Sequence, residues 1–438
     1  MYQWVIVVKR MALYLKAQEN NMINFKKYLA EAAATEAAGK PLKHLTHVED
    51  NVIHGGHEGV ALADSHLRGM HNLLLGKNSG VTASTKWDGS PSVVFGQHPQ
   101  TRQFFVGTKS AFNATPKINY TDEDIEANHG HAPGLVEKLK AALQYLPHIM
   151  PRTGGVYQGD LMHTEGDAKS ENGMTSVTPN TITYGAPNGS AEAENMKKKL
   201  GIVVHTRYKG PGGLAAMDAG PLDAKTRATF GEHPDVNNID PTMHANPSNY
   251  TPDEQKEFLS HMEKARQVYS KMKPEAMDAI AGHGVNLEAH INDMIRKGGD
   301  PSVTGYMQHL TDRHNKDIAK LKSQKSIDAR NAAHAAIMQH ITENSDHFQK
   351  ALDLHKHFQD AKNVLVGVMA KNNAYAHSVD GVPTDPEGAV VADKQGNMSK
   401  FVNRKEFSRL NFLKGAFQKK QTDAAADEAA QQQAQPNA

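Results

Sequence analysis

Lys86 stands in the run Thr-Ala-Ser-Thr-Lys-Trp-Asp-Gly-Ser-Pro at positions 82–91, ahead of Val93, Val94 and Phe95, which read as a buried strand. A lysine at a strand end is an available nucleophile, and the chemistry it could carry is covalent catalysis through its amine. An ordinary lysine is protonated at neutral pH and attacks nothing, so a nucleophilic one must be desolvated or set among positive charges. Gly89 lets the backbone come close to a ligand, and Asp88 can orient an ammonium or a ribose hydroxyl.

The elements that would position such a group are legible in outline. A hairpin follows the lysine: Ser92 to Gly96, a polar turn, then Phe104 to Gly107 delivering Thr108, Lys109 and Ser110. Residues 134–149 predict an amphipathic helix with Leu135, Leu139, Ala142, Leu143 and Leu146 on one face. Strands are expected around Tyr157–Asp160, Thr181–Gly185 and Ile202–Val204. Upstream, residues 45–76 read as two helices joined at Gly55 and Gly56, with Thr46 and Glu49 as a capping box and Gly76 as a stop. From 251 long polar helices follow, the first capped by Thr251 with Pro252 in its first turn; the last pairs Leu352, Phe358, Ala361, Leu365 and Met369. The histidines 54, 57, 66 and 71 lack a His-Glu-x-x-His spacing and read as solvated, and the five from His334 to His357 show no ligand spacing either.

Composition narrows the class. Lys plus Arg is 49 against Asp plus Glu 48, so no global basic field points to nucleic acid and any such surface must be local. The absence of Cys excludes disulfides, thiolate metal sites and cysteine nucleophiles. The apolar start is split by Lys9 and Arg10 and is too short to span a bilayer, which predicts a soluble, cytoplasmic protein.

Lys86-x-Asp88-Gly89 resembles the nucleotide-attachment motif of the covalent nucleotidyltransferases, the superfamily of ATP-dependent RNA and DNA ligases and mRNA capping enzymes. Further motifs occur in the superfamily's order. Tyr157-x-Gly159-Asp160 is similar to its third motif, with Asp where Glu is commoner. Glu387-Gly388-x-Val390 resembles its fourth, and Lys400 enters a strand like that of the fifth. The resemblance covers 85–208 and 385–407. It implies that Lys86 and Lys400 are catalytic, that Thr85, Trp87, Asp88, Gly89, Lys109, Asp160 and Glu387 bind the nucleotide, and that Asp160 and Glu387 hold Mg²⁺. His205, Thr206, Arg207 and Tyr208 depart from the family's aromatic-and-acid pattern and leave the adenine-stacking partner open. Val402 stands where the fifth motif commonly has a second lysine.

The expected fold is α+β: a nucleotidyltransferase (ATP-grasp-like ligase adenylation) domain of antiparallel sheets with helices, plus an inserted all-α domain. Composition marks a linker and helical insertion (211–380) and a low-complexity tail (418–438), and the resemblance implies a leader (1–45), a first nucleotidyltransferase part (46–210) and its last strands (381–417). Too little follows Lys400 for a C-terminal OB-fold, which favours the RNA-ligase branch over capping enzymes and typical DNA ligases. The cofactors implied are ATP and Mg²⁺, and the partner is a nucleic acid with 5′-phosphate and 3′-hydroxyl ends, with no membrane. Residues 22–31, ending in Leu29-Ala30-Glu31, resemble the capsid-targeting peptide of internal proteins of large tailed bacteriophages; a leader without special meaning is the other reading, and Met22 is an alternative start. The rival function is a non-catalytic virion protein that keeps the nucleotidyltransferase fold to bind nucleotides or DNA ends.

Overall fold

The computed structural model describes residues 45–243 and 245–404. The leader, its capsid-targeting resemblance, the alternative start and the tail lie outside the described residues. The fold is α+β, its sheets antiparallel except for one parallel pairing. Among the described residues no helix is long and apolar enough to cross a membrane.

After a 3-10 turn at Val48–Asp50 the chain forms α1 (Asn51–His54) and α2 (Gly56–Leu74), parting at Gly55. The glycines there are steric necessities: a Cβ on Gly59 would lie 2.0 Å from the Asn51 carbonyl oxygen. The N-cap position of α1 falls on Asp50, without a side-chain capping bond, and not on Thr46, because the turn intervenes. Next come β1 (Val81–Thr85), β2 (Ser92–Gln97), β3 (Phe104–Gly107), α3 (Asp122–His129), α4 (Pro133–Tyr145), β4 (Val156–Thr164), β5 (Lys169–Glu171), β6 (Met174–Val177) and β7 (Thr183–Pro187). They are followed by α5 (Ala191–Met196), β8 (Leu200–Lys209), β9 (Asp218–Pro221), α6 (Ala224–Arg227) and β10 (Val236–Asn238). Then come α7 (Pro252–Tyr269), α8 (Pro274–Ala281), α9 (Gly284–Lys297), α10 (Val303–Ile318), α11 (Gln324–Glu343) and α12 (Ser345–Ala370). Strands β11 (Ala376–Val379), β12 (Val382–Pro383), β13 (Ala389–Asp393) and β14 (Met398–Phe401) end the described chain.

Among the described residues the strands form three sheets, ordered β1-β13-β14, β10-β8-β4-β2-β3 with β9 beside β8, and β12-β11-β7-β6-β5. β2 is buried on both faces. Val93 and Phe95 pack with Tyr157, Leu161, Ile202 and Val204 against Val136, Leu139 and Ala142 of α4; Val94 joins Phe105, Val156 and Tyr208 on the other face. Full burial of a side chain such as Leu139 contributes roughly 1.5–3 kcal/mol, so the amphipathic stripe of α4 fixes that helix on the sheet. Residues 211–250, read from composition as a linker, contribute β9 and β10, strands too short to show an alternating pattern.

The chain forms two compact units. The strand-bearing unit contains His66–Phe258 and the described residues from Lys362 onward. The other comprises Val48–Ser65 and Leu259–Ala361 and is helical among its described residues. Its buried side chains include Tyr306, Ile341, Phe348 and Leu354, and a buried Asp50–His355 ion pair at 2.8 Å ties α12 to the turn before α1. The predicted Thr251 cap of α7 is present and takes the form of a capping box: Glu254 N–H donates to Thr251 Oγ1 at 3.3 Å while Thr251 N–H donates to Glu254 Oε2 at 3.0 Å.

A candidate lysine-centred active site

Strand pairing brings the ends of the sequence together. β1 runs antiparallel to β13 with Thr85 opposite Ala389, and the ladder extends one step further, Lys86 N–H donating to the Gly388 carbonyl at 2.8 Å. Glu387 thereby meets Lys86, and the ammonium Nζ donates to Glu387 Oε1. Gly388 makes this possible. Its φ is +127°, and a Cβ there would lie 1.9 Å from the Phe401 carbonyl oxygen, so only glycine lets β14 come this close. On the other edge Thr85 N–H donates to the Pro241 carbonyl at 2.6 Å.

The residues after Lys86 are committed to the scaffold. Trp87 is buried and packs on Tyr184 and Tyr375, with ring centroids 5.1 and 5.2 Å away. The buried Asp88 carboxylate accepts from Asn180 Nδ2 at 2.8 Å, Thr181 N–H at 2.8 Å and Ile182 N–H at 3.0 Å. Its own N–H donates to Tyr184 Oη at 2.7 Å. These bonds anchor the loop, where the motif alone suggests a nucleotide ligand. A Cβ on Gly89 would stand 2.7 Å from Asp160 Cβ and 2.9 Å from the Leu161 carbonyl oxygen, so this glycine lets the loop lie against β4.

Asp160 is on the half-open face of β4, in register with Ser92 and beside Gln158, whose Nε2 donates to Ser92 Oγ at 2.8 Å. His205 Nε2 is 3.3 Å from Asp160 Oδ2. It gets there through a β-bulge: Gln158 pairs with Thr206 and Gly159 with Val204, leaving His205 as the extra residue. Sequence reasoning missed this partner because the β4–β8 register that sets His205 near Asp160 is marked by no local pattern. Tyr157, the aromatic of the third-motif resemblance, is fully buried against Phe95 and Phe230 and is a core residue.

Electrostatics separate the two carboxylates. Burial alone would push Asp160 up, but His205, Ser92 and Lys86 together hold it below the usual carboxylate range. Burial raises Glu387 above its ordinary value despite Lys86, and the nearby charges of Asp88 and Asp160 add to the rise. Glu387 Oε2 is buried and makes no hydrogen bond among the described residues. An unpaired oxygen beside a second carboxylate is the donor set that a hard divalent cation takes.

Lys400 is opposite Val390, and Val390 is opposite Ser84, so Lys400 shares a sheet face with Lys86, two strands across and two residues along. Strand spacings put their Cα atoms about 12 Å apart, within the combined reach of two lysine side chains. Lys400 is half-buried, and its strand is tied down by His66, whose Nδ1 is 2.9 Å from Ser399 Oγ and whose Nε2 is 3.7 Å from Asp393 Oδ2. His66, expected to be solvated, is fully buried. Ser399 is equally sealed, so this Ser–His–Asp set is a strut that no substrate reaches. Lys109 is exposed at the start of a 3-10 turn whose cap is Thr108. Among the described residues it is not paired with Lys86, Asp160 or Glu387. The structure thus brings together Lys86, Asp160 and Glu387, adds His205, and uses Trp87, Asp88 and Gly89 to build the loop.

No curated protein and no solved structure matches the chain. Over residues 42–415 the chain matches, and therefore belongs to, the family described as "Family of unknown function (DUF6267)".

Proposed function

We propose that this chain is an ATP-dependent polynucleotide ligase of RNA-ligase type, working through a covalent lysyl-AMP intermediate. The observation that carries the reading is the adjacency of Lys86 and Glu387, 301 positions apart in sequence. It is joined by Asp160, near enough for Lys86 and Glu387 to act on its charge. On this reading the strand-bearing unit is a nucleotidyltransferase domain and the helices from Leu259 an inserted all-α domain that holds the polynucleotide.

Lys86 Nζ attacks the α-phosphorus of ATP. A P–N bond forms, the bond to the bridging oxygen breaks and pyrophosphate leaves. The ammonium must first lose a proton, and Glu387, raised by burial and in contact with Nζ, is the group placed to take it. Mg²⁺, when bound, supplies charge neutralisation on the phosphates; Glu387 Oε2 and Asp160 are the oxygens that would hold it. Lys400, on the same sheet face, meets the α-phosphate, and Lys109 the ribose or outer phosphates. AMP then passes to a 5′-phosphate end and a 3′-hydroxyl displaces it, sealing the strand.

Purified protein is incubated with α-labelled ATP or GTP and Mg²⁺ and run on a denaturing gel beside Lys86→Ala. A label that survives denaturation and is lost in the variant supports the reading. No label with either nucleotide from folded protein overturns it and favours a non-catalytic nucleotide- or DNA-end-binding virion protein.

A further inference from the structure

In the helical unit α7 and α12 bring His261, His357 and Asp360 together, their ligand atoms all within 4.8 Å of one another. His357 and Asp360 are three residues apart and so share one face of α12. All three side chains are half-buried. His261 Nδ1 and His357 Nδ1 are buried and make no hydrogen bond among the described residues. The nearest anion to His261 Nδ1 is Asp360 Oδ2 at 3.9 Å, beyond hydrogen-bonding reach. Two buried imidazole nitrogens without partners are costly unless something accepts their lone pairs.

We infer that His261, His357 and Asp360 form a binding site for one divalent first-row transition ion, Zn²⁺ or a metal of similar preference. Two imidazole nitrogens and a carboxylate oxygen suit such an ion better than Mg²⁺ or Ca²⁺, which take oxygen ligands. A tetrahedral Zn²⁺ with bonds of about 2.0–2.1 Å sets its donors about 3.3 Å apart. Small side-chain rotations close the 4.8 Å spread to that size. The half-exposed setting leaves water the fourth position. The local cations are Lys356, whose Nζ is 3.8 Å from Asp360 Oδ2, and Lys264 near His357. Lys356 also reaches Asp300 at 3.9 Å and can turn to it when a metal takes Asp360. The ion would clamp α7 to α12 where no His-x-x-x-His or Cys signature announces it. This site is independent of the Lys86 chemistry.

The test is titration of chelator-treated, full-length protein with Zn²⁺ by calorimetry, and with Co²⁺ followed by its visible absorption. The chain has 25 histidines, so the variants and not the stoichiometry decide. Expected is one site giving the visible bands of low-coordinate Co²⁺, with His357→Gln and Asp360→Asn each weakening Zn²⁺ binding more than about 100-fold at unchanged far-UV circular dichroism. That exceeds what is usual for groups that merely support a ligand. Lys86→Ala should bind as wild type does. If a variant on α12 loses its helical signal, His261→Asn on α7 replaces it. Failure of the wild-type protein to bind either metal, or equal binding by folded His261, His357 and Asp360 variants, overturns the inference.

Discussion

Asp88→Ala separates scaffold from chemistry at the lysine motif. The carboxylate satisfies two backbone N–H groups, of Thr181 and Ile182, and the Asn180 side-chain amide, all within 3.0 Å. Removing it orphans two buried backbone donors, at about 1–3 kcal/mol each, while the exposed Asn180 amide turns to water. We expect a loss of about 3–5 kcal/mol. Asp88→Asn should lose less, because its amide oxygen keeps one acceptor while its NH₂ opposes the remaining donors. Urea unfolding followed by fluorescence reads this directly, since Trp87 is the adjoining residue and one of only two tryptophans in the chain. If Asp88→Ala unfolds within about 1 kcal/mol of wild type yet loses nucleotide labelling, Asp88 acts on the nucleotide and the anchoring argument is refuted.

Glu387→Gln should slow Lys86 labelling by about 10²–10⁴-fold without unfolding the protein, and the residual rate should climb steeply with pH as solvent takes over the proton; a parallel pH profile in variant and wild type would dismiss Glu387 as the base. Gly388→Ala must push a Cβ against the Phe401 carbonyl and adopt a positive φ, so a loss of at least about 2 kcal/mol in urea titration is expected, with Gly89→Ala similarly costly through Asp160 and Leu161. His163 and His283 are both pushed down to about 4 by burial, so each favours the folded state above pH 6.5. That contribution declines as pH falls from 6.5 and is gone below about 4, at about 3 kcal/mol per histidine. Urea midpoints should fall across that window, and a His163→Leu variant that folds should show a shallower fall in the Trp87-monitored transition.

What the sequence displayed depended on how local the signal was. The helices α4, α7 and α12 were legible because each carries its own amphipathic stripe or cap. So was the β2–β3 hairpin, where apolar runs flank a polar turn. The order Lys86, Asp160, Glu387, Lys400 was readable as residue types near strands, and strand pairing does set Lys86 against Glu387, although Asp160 is at the middle of β4 and not at a strand end. The scaffold bonds of Asp88 were not legible because its partners are backbone N–H groups of a loop about ninety residues on, which no side-chain pattern marks. His205 was hidden because its approach to Asp160 depends on the β4–β8 register, which no local pattern marks. The His261–His357–Asp360 set escaped because its spacing is short only on α12, and the third ligand arrives by helix packing.

The two carboxylates around Lys86 divide the labour by environment rather than by residue type. Asp160 keeps three favourable neighbours, so it stays ionised and can hold a cation throughout a reaction. Glu387 is desolvated and faces two other acids, so its charge is supported by Lys86 alone. The coupling follows from electrostatics: a phosphate arriving in the pocket attracts the ammonium away from Glu387, and a buried carboxylate deprived of its partner gains affinity for a proton. On the proposed reading that gain favours Glu387 as the acceptor of the Lys86 proton. A pair of titratable groups pushed apart in this way is the usual mark of an assigned base beside a fixed charge, and a Lys86–Glu387 ion pair placed only for stability would not need Asp160 next to it.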